Sequence, residues 1–134
     1  MTDSSVVRVA DVMERDYVIV DGVATVAEAL TVLRERNAHF LMVAKRHEDD
    51  EFGIVMVDDI AKQVLARNRS PERTNVYEIM SKPVMSVRPE MDIRYCARLF
   101  HRMGISTAPV IDGDEIKGVV AYDQLVLKGL ARQA

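Results

Sequence analysis

Gly53-Ile54-Val55-Met56-Val57-Asp58-Asp59-Ile60 returns 65 positions later as Gly118-Val119-Val120-Ala121-Tyr122-Asp123-Gln124-Leu125. In each, a glycine precedes a short apolar run, and an acidic, helix-starting segment follows it. Working outward with a shift of 67, Val9 meets Val76, Asp11 meets Glu78 and Met13 meets Met80. Val18 meets Met85, Val20 meets Val87, Val26 meets Ile93, Leu33 meets Phe100 and Val43 meets Val110. One two-residue change of length, in the loop after Val43, brings both registers into a single alignment that runs on to Ala66-Arg67 and Ala131-Arg132. The chain is therefore two copies of a unit of about sixty residues, a size that buries too little of its surface to be secure alone. The copies are expected to pack on one another with pseudo-twofold symmetry. Their boundaries are placed at residues 1–68 and 75–134, with a linker at 69–74 where Ser70-Pro71 breaks the preceding helix.

Each copy reads β-α-β-β-α, an α/β class. An apolar turn (Val9, Val12, Met13; then Val76, Ile79, Met80) opens it, followed by a β-rich stretch, Tyr17 to Val20 and Val84 to Val87. Thr25 and Glu28 then form a capping box, and Val26, Ala29, Leu30 and Leu33 keep helical period. In the second copy Asp92 is the N-cap candidate before Ile93, Cys96, Ala97 and Phe100. Asn37 and Gly104 stand at equivalent places after these helices and suit a left-handed cap. Strands are expected over Phe40 to Val43 and Thr107 to Ile111, with Pro109 confined to a strand start or an edge. Asp112-Gly113 predicts a tight hairpin turn, and Lys45 to Glu51 a longer charged loop. Last helices follow, near Asp58 to Arg67 and Asp123 to Arg132.

Composition narrows the function. Eighteen basic against 21 acidic residues give a formal charge of −3, which argues against a broad nucleic-acid or anionic-membrane footprint. The single cysteine, Cys96, cannot close an internal disulfide, and no apolar run approaches the length of a membrane span. Met1 to Ser5 carry no signal-peptide pattern. A cytoplasmic protein is expected. His39, His47 and His101 match no metal spacing, and His47-Glu48-Asp49-Asp50 reads as a solvated hairpin loop rather than a cation site. Cys96 lies on an apolar helix face, where inert burial is expected. Met42, Met80, Met85 and Met103 read as core fillers, and Lys62, Arg67, Arg69 and Arg73 as an exposed basic face.

The paired segments follow an order of Gly, two apolar residues, a Ser/Thr position, two variable residues, an Asp position, then Ile or Leu. With Asp11-Val12-Met13, Glu78-Ile79-Met80, Lys82 to Val87 and Ala108 to Ile111, this order resembles a tandem cystathionine-β-synthase (CBS) domain protein, a Bateman module, over about Val9 to Leu130. The resemblance implies no reaction. It implies an adenosine-type ligand (AMP, ADP, ATP or S-adenosylmethionine) in a cleft between the repeats, a homodimer, and signalling to an unidentified effector protein.

The resemblance puts Asp59 at the ribose-binding Asp position and uncharged Gln124 at its counterpart. Met56 and Ala121 replace the usual hydroxyl in both copies. A helix start offers free N–H groups to a phosphate, but Asp58 and Asp123 sit next to the site, and a carboxylate repels phosphate by about 1 kcal/mol at 4 Å in water. A neutral or cationic ligand suffers less. Val18, Ile19, Phe40 and Leu41 are the candidate base walls by the same analogy. The structural alternative makes Asp58 and Asp123 the N-caps of their helices and gives Asp59 a helix-dipole role. The rival function is a degenerate pair that serves only dimerisation or protein docking. No catalytic nucleophile, acid/base pair, phosphate loop or dinucleotide fingerprint is present in the sequence, so no catalytic residue and no resident cofactor or metal is expected.

Overall fold

The computed structural model describes residues 6–131. Met1 to Ser5, and Arg132 in the expected last helix, lie outside the described residues. The elements in chain order are α1 (Val9–Val12), β1 (Ile19–Val20), α2 (Val26–Arg36), β2 (Phe40–Val43), β3 (Gly53–Met56), α3 (Val57–Ile60), α4 (Ile93–Met103), β4 (Thr107–Asp112), β5 (Glu115–Ala121) and α5 (Gln124–Leu130). Beyond Ile60, α3 continues over Ala61–Leu65 with wider i→i+5 bonding, as in Ala66 N–H to Ala61 O at 2.8 Å, and α5 is wound with the same π spacing. Single 3₁₀ turns occupy Pro71–Arg73 and Val76–Glu78.

The chain forms two compact units, and they do not follow the repeat boundaries 1–68, 69–74 and 75–134. One unit is residues 17–84; the other joins the N-terminal segment up to Asp16 to the chain from Met85 onward. Each opening turn thus completes the unit built by the other copy. In the 17–84 unit, Val76 and Ile79 belong to the core made by Val26, Leu33, Leu41, Val55 and Val64. In the other, Val9, Val12 and Met13 pack with Ile93, Phe100, Val110, Val120 and Leu125.

Hydrogen bonds explain the exchange. In the 17–84 unit the sheet order is β1-β2-β3, with β1 parallel and β3 antiparallel to β2. That leaves one side of β3 open. Ser81 closes it: its N–H donates to Ile54 O at 2.9 Å, and Ile54 N–H donates to Ser81 O at 3.0 Å. In the second unit Glu14 does the same to β5, with both bonds to Val119 at 2.8 Å. Covering an edge satisfies backbone groups that would otherwise invite another chain. The motif glycines follow from this approach. A Cβ on Gly118 would lie 2.5 Å from Glu14 O, and one on Gly53 would lie 2.8 Å from the Met80 sulfur.

Local signals behave as the residues predict at the main helices. Thr25 N–H donates to Glu28 Oε1 at 2.8 Å, and Glu28 N–H to Thr25 Oγ1 at 3.1 Å. Asp92 caps α4 by accepting from Arg94 N–H at 2.9 Å. Asn37 (φ 51°) and Gly104 (φ 68°) take the left-handed C-caps.

Four expectations are corrected. Pro109 is neither at a strand start nor at an edge: β4 pairs with β5 on one side, and Val87 bridges its other side. In the first copy Met42 N–H donates to Val18 O at 2.8 Å. Pro109 occupies the place of Met42 and has no N–H, so that bond has no counterpart. The strand expected over Val84 to Val87 therefore shrinks to one bridge, held by Val87 N–H to Pro109 O (3.0 Å) and Ile111 N–H to Val87 O (2.9 Å). Met85, freed from pairing, is exposed, as is Met103 at the end of α4; neither fills a core. The hairpin loop is Gly113-Asp114, one residue later than read, because Asp112 pairs with Glu115; Gly113 supplies the positive φ of 64°.

Substituting Gly118→Ala forces a methyl group against a backbone oxygen that cannot swing aside, and costs about 2 kcal/mol or more. Gly53→Ala meets chiefly the flexible end of Met80 and costs less. Thermal or urea melts of the two variants should rank in that order.

Candidate functional site

The β3–α3 junction is built from the strand outward. Gly53 begins β3, and the helix starts four residues later, at Val57. Two of the donors at that start are already taken. Met56 N–H donates to Asp59 Oδ2 at 2.8 Å, and Val57 N–H donates to His39 O at 3.0 Å. The second copy repeats both contacts: Ala121 N–H to Gln124 Oε1 at 2.7 Å, and Tyr122 N–H to Ser106 O at 3.2 Å. Two of the N–H groups expected to be free for a phosphate are thus consumed by the chain itself, in both copies.

The capping reading changes with it. Asp58 and Asp123 are exposed and make no side-chain cap; Met56 is the N-cap residue of α3, and Asp59 reaches back to it from the third helical position. Gln124 makes the equivalent reach, since an amide oxygen accepts an N–H as a carboxylate does. Asp59 keeps its other oxygen, Oδ1, without a hydrogen-bond partner among the described residues. It is half-buried, with its orientation fixed by the Met56 bond.

Four wall candidates separate into two faces. Val18 and Leu41 are core members of the 17–84 unit, 5% and 0% exposed, so their side chains are not available to a ligand. Consecutive strand residues point to opposite faces, so Val18-Ile19 and Phe40-Leu41 cannot each line one pocket as pairs. Ile19 and Phe40 remain. Ile19 pairs with Met42 and Phe40 with Met56, which places Ile19, Phe40, Met42 and Met56 on the face opposite that core. Ile19 is exposed and Phe40 half-buried. Met56, taken in the sequence only as a lost hydroxyl, is the apolar neighbour of Phe40 next to Asp59. Strand alternation from Phe40, carried across the pairing, was the signal for it.

Elsewhere the chemistry is quiet. The described residues hold no cluster of three or more His, Cys, Asp or Glu that could bind a metal ion. His47 and Asp49 are exposed, while Asp50 ties the charged loop down: its Oδ1 pairs with Lys82 Nζ at 2.6 Å, and its Oδ2 accepts from Arg46 N–H at 2.8 Å. His101 is exposed on α4, and His39 contributes its carbonyl oxygen. Cys96 is fully buried, and burial pushes its thiol up to about 11, away from nucleophile chemistry. Lys62, Arg67 and Arg73 are exposed; Arg69 pairs with Glu78 at 2.7 Å. Among the described residues no helix is long and apolar enough to cross a membrane.

Comparison with known proteins agrees with this architecture. The CBS domain model matches residues 9–66 and 76–128, and the chain belongs to the CBS domain family. It is similar to a hexameric CBS-CP12 protein from bloom-forming cyanobacteria: 38% identity, TM-score 0.89, covering 92% of this chain and 72% of that one. A CBS domain pair solved in complex with 5′-methylthioadenosine and S-adenosyl-L-methionine shares the fold at 22% identity and TM-score 0.81, covering 95% of this chain and 98% of that one. An uncharacterised protein of Methanopyrus kandleri is 24% identical over 121 residues, 90% of this chain; the chain spans only 61% of that relative's length.

The Lys82 ammonium, then the Arg46 N–H, hold the Asp50 carboxyl well below the ordinary carboxylate range. A depressed folded-state pKa stabilises fully above the unfolded value, near 4, and that contribution is lost as pH falls toward the folded one. Asp50→Asn should therefore lower the melting temperature at pH 7, and the gap from the parent should narrow steadily below pH 4.

Proposed function

We propose that this chain is a non-catalytic regulatory CBS pair that binds an adenosine-type ligand at the β3–α3 junction of the 17–84 unit. It works in the cytoplasm as paired copies and reports occupancy to an effector protein. The observation that carries this is Asp59, whose Oδ2 is locked on Met56 N–H while Oδ1 stays unengaged. A fixed carboxylate with an open oxygen suits the two hydroxyls of a ribose, in charge-assisted bonds. Phe40, Ile19 and Met56 supply apolar surface for the base. Asp58 lies beside it, exposed and anionic.

The same geometry orders the ligands. With the Met56 and Val57 donors consumed and two adjacent carboxylates present, a nucleoside triphosphate finds repulsion and few donors there. S-adenosylmethionine or an uncharged adenosine derivative loses nothing by comparison. The complex of a related CBS pair with 5′-methylthioadenosine and S-adenosyl-L-methionine supports this choice. The second junction is the weaker one: Gln124 spends its amide oxygen on Ala121 N–H and carries no charge.

Signalling would follow from differential affinity. A ligand can shift the protein between two states only by binding one more tightly.

Calorimetric titration with S-adenosylmethionine, 5′-methylthioadenosine, AMP, ADP and ATP, with and without magnesium, tests the reading. S-adenosylmethionine or 5′-methylthioadenosine should bind more tightly than ATP. Asp59→Asn keeps an acceptor for Met56 N–H but removes the charge, and should weaken that binding about tenfold, or about 1.4 kcal/mol, without lowering the melting temperature much. Absence of heat with every ligand would leave the rival, a pair that serves only dimerisation or docking.

A further inference from the structure

The two edge-closing contacts are not fastened alike. In the 17–84 unit, residues 81–84 run along the side of β3 that β2 leaves open, and they meet it at two points. Ser81 exchanges both backbone bonds with Ile54, and Val84 N–H donates to Phe52 O at 3.3 Å. Lys82 lies between these points. Its Nζ reaches Asp50 Oδ1 at 2.6 Å, and the pair is shielded, with side chains 25% and 11% exposed. Asp50 is itself anchored, since its Oδ2 accepts from Arg46 N–H at 2.8 Å. In the same loop Lys45 lies over the Phe52 ring, 5.1 Å from the centroid. The ion pair therefore ties residues 81–84 to the charged loop that joins β2 to β3.

In the second unit Glu14 makes the same double bond with Val119. The shift of 67 puts Arg15 where Lys82 stands, and the shift of 65 puts Glu115 where Asp50 stands. The residue types would suit a pair, but Arg15 is exposed and makes no ion pair among the described residues. Glu115 is spent on Lys117 at 2.8 Å, with both side chains open to solvent. A solvated ion pair contributes little and is screened by salt, whereas a shielded one is screened much less. One copy is fastened by charge and the other is not.

The place of the fastening links it to the candidate site. Residues 81–84 are the last stretch of the 17–84 unit before the chain passes on at Met85. β3, which they cover, ends at Met56, whose N–H is held by Asp59 Oδ2. One four-residue strand thus carries the covering segment on its edge, at Ile54, and the ligand carboxylate at its end. A shift of its backbone is felt by both.

We infer that Lys82 and Asp50 form a clasp that holds residues 81–84 as a strap on β3, that the strap opens locally when the pair breaks, and that its opening is coupled to occupancy of the β3–α3 junction. The coupling rests on the ligand reading proposed above; the clasp does not. Local opening is an event separate from global unfolding, with its own free energy. Coupling is reciprocal: a ligand that favours the closed strap binds more weakly once the strap is loosened.

Amide hydrogen exchange of the full chain, read residue by residue by NMR, tests the clasp. Lys82→Met keeps the methylene stem and removes the charge. It should speed exchange at Ile54, Ser81 and Val84 about tenfold, the effect of losing one partly shielded pair. Met42, bonded to Val18 within the sheet, and Val119, in the unfastened copy, should not change. Lys82→Arg keeps the charge and should keep the protection. Equal acceleration at all five amides makes the pair a general stabiliser and overturns the clasp. So does an unchanged strap, or a Lys82→Arg variant that opens as far as Lys82→Met. For the coupling, saturating S-adenosylmethionine should slow exchange at Ile54 and Ser81 in the parent, and Lys82→Met should weaken its binding in calorimetry. Binding heat with unchanged strap exchange overturns the coupling and leaves the proposed site standing. Absence of heat overturns the coupling together with the site, while exchange in the free chain still decides the clasp.

Discussion

Two backbone hydrogen bonds between Glu14 and Val119, and two between Ser81 and Ile54, are the constraint on which the rest depends. They close the free edges of β5 and β3, and they do so by bringing each opening turn into the unit of the other copy. A glycine at 118 and another at 53 allow the approach. Once the edge is closed, Val9 and Val12 are carried into one core and Val76 and Ile79 into the other, all nearly or fully buried. Without those side chains each core lacks one wall.

The exchange also answers the size problem. A sixty-residue unit that closed on its own opening turn would be complete without its neighbour, at a length where burial barely offsets chain entropy. Exchanging the turns makes neither half complete alone. Backbone pairs at Arg8–Asp92 and Thr25–Asn75 repeat the symmetry at the helix starts, so each exchanged segment is held at both ends. Duplication in the sequence has become mutual dependence in the structure.

What could be read from the residues was what local chemistry decides. Thr25 with Glu28, Asp92, Asn37 and Gly104 fix helix ends by groups that act within four residues, and all four are in place. What could not be read was set by partners distant in sequence. The exchange of turns is invisible to a repeat alignment, because both assignments of Val9 preserve the same pattern. Pro109 misled because strand edges are defined by neighbours: one missing N–H did not expel it from the sheet but shortened the strand beside it. At the site, Asp59 was placed by its motif, but the N-cap was assigned to Asp58, two residues after the true N-cap, Met56, and the reach of Asp59 back to Met56 N–H was not foreseen. Val18 and Leu41 were taken with their neighbours although the strand period of two sends them to the opposite face.

The consumed donors bear on how such a junction discriminates. A helix start is often a phosphate site because its first N–H groups lack acceptors. Here Asp59 and Gln124 supply acceptors from within the first turn, and the carbonyls of His39 and Ser106 supply two more. The two copies agree on this although they differ at three of the four residues from 56 to 59 and their counterparts, 121 to 124. An arrangement that survives such divergence is imposed by the backbone: the strand must leave the sheet and start a helix with its polar groups satisfied. What then differs between the junctions is the charge left over. Asp59 satisfies the backbone and still presents a carboxylate oxygen, whereas Gln124 satisfies it and presents an amide. The asymmetry between the halves therefore lies in one side chain's remaining acceptor and its charge, not in the fold that holds it.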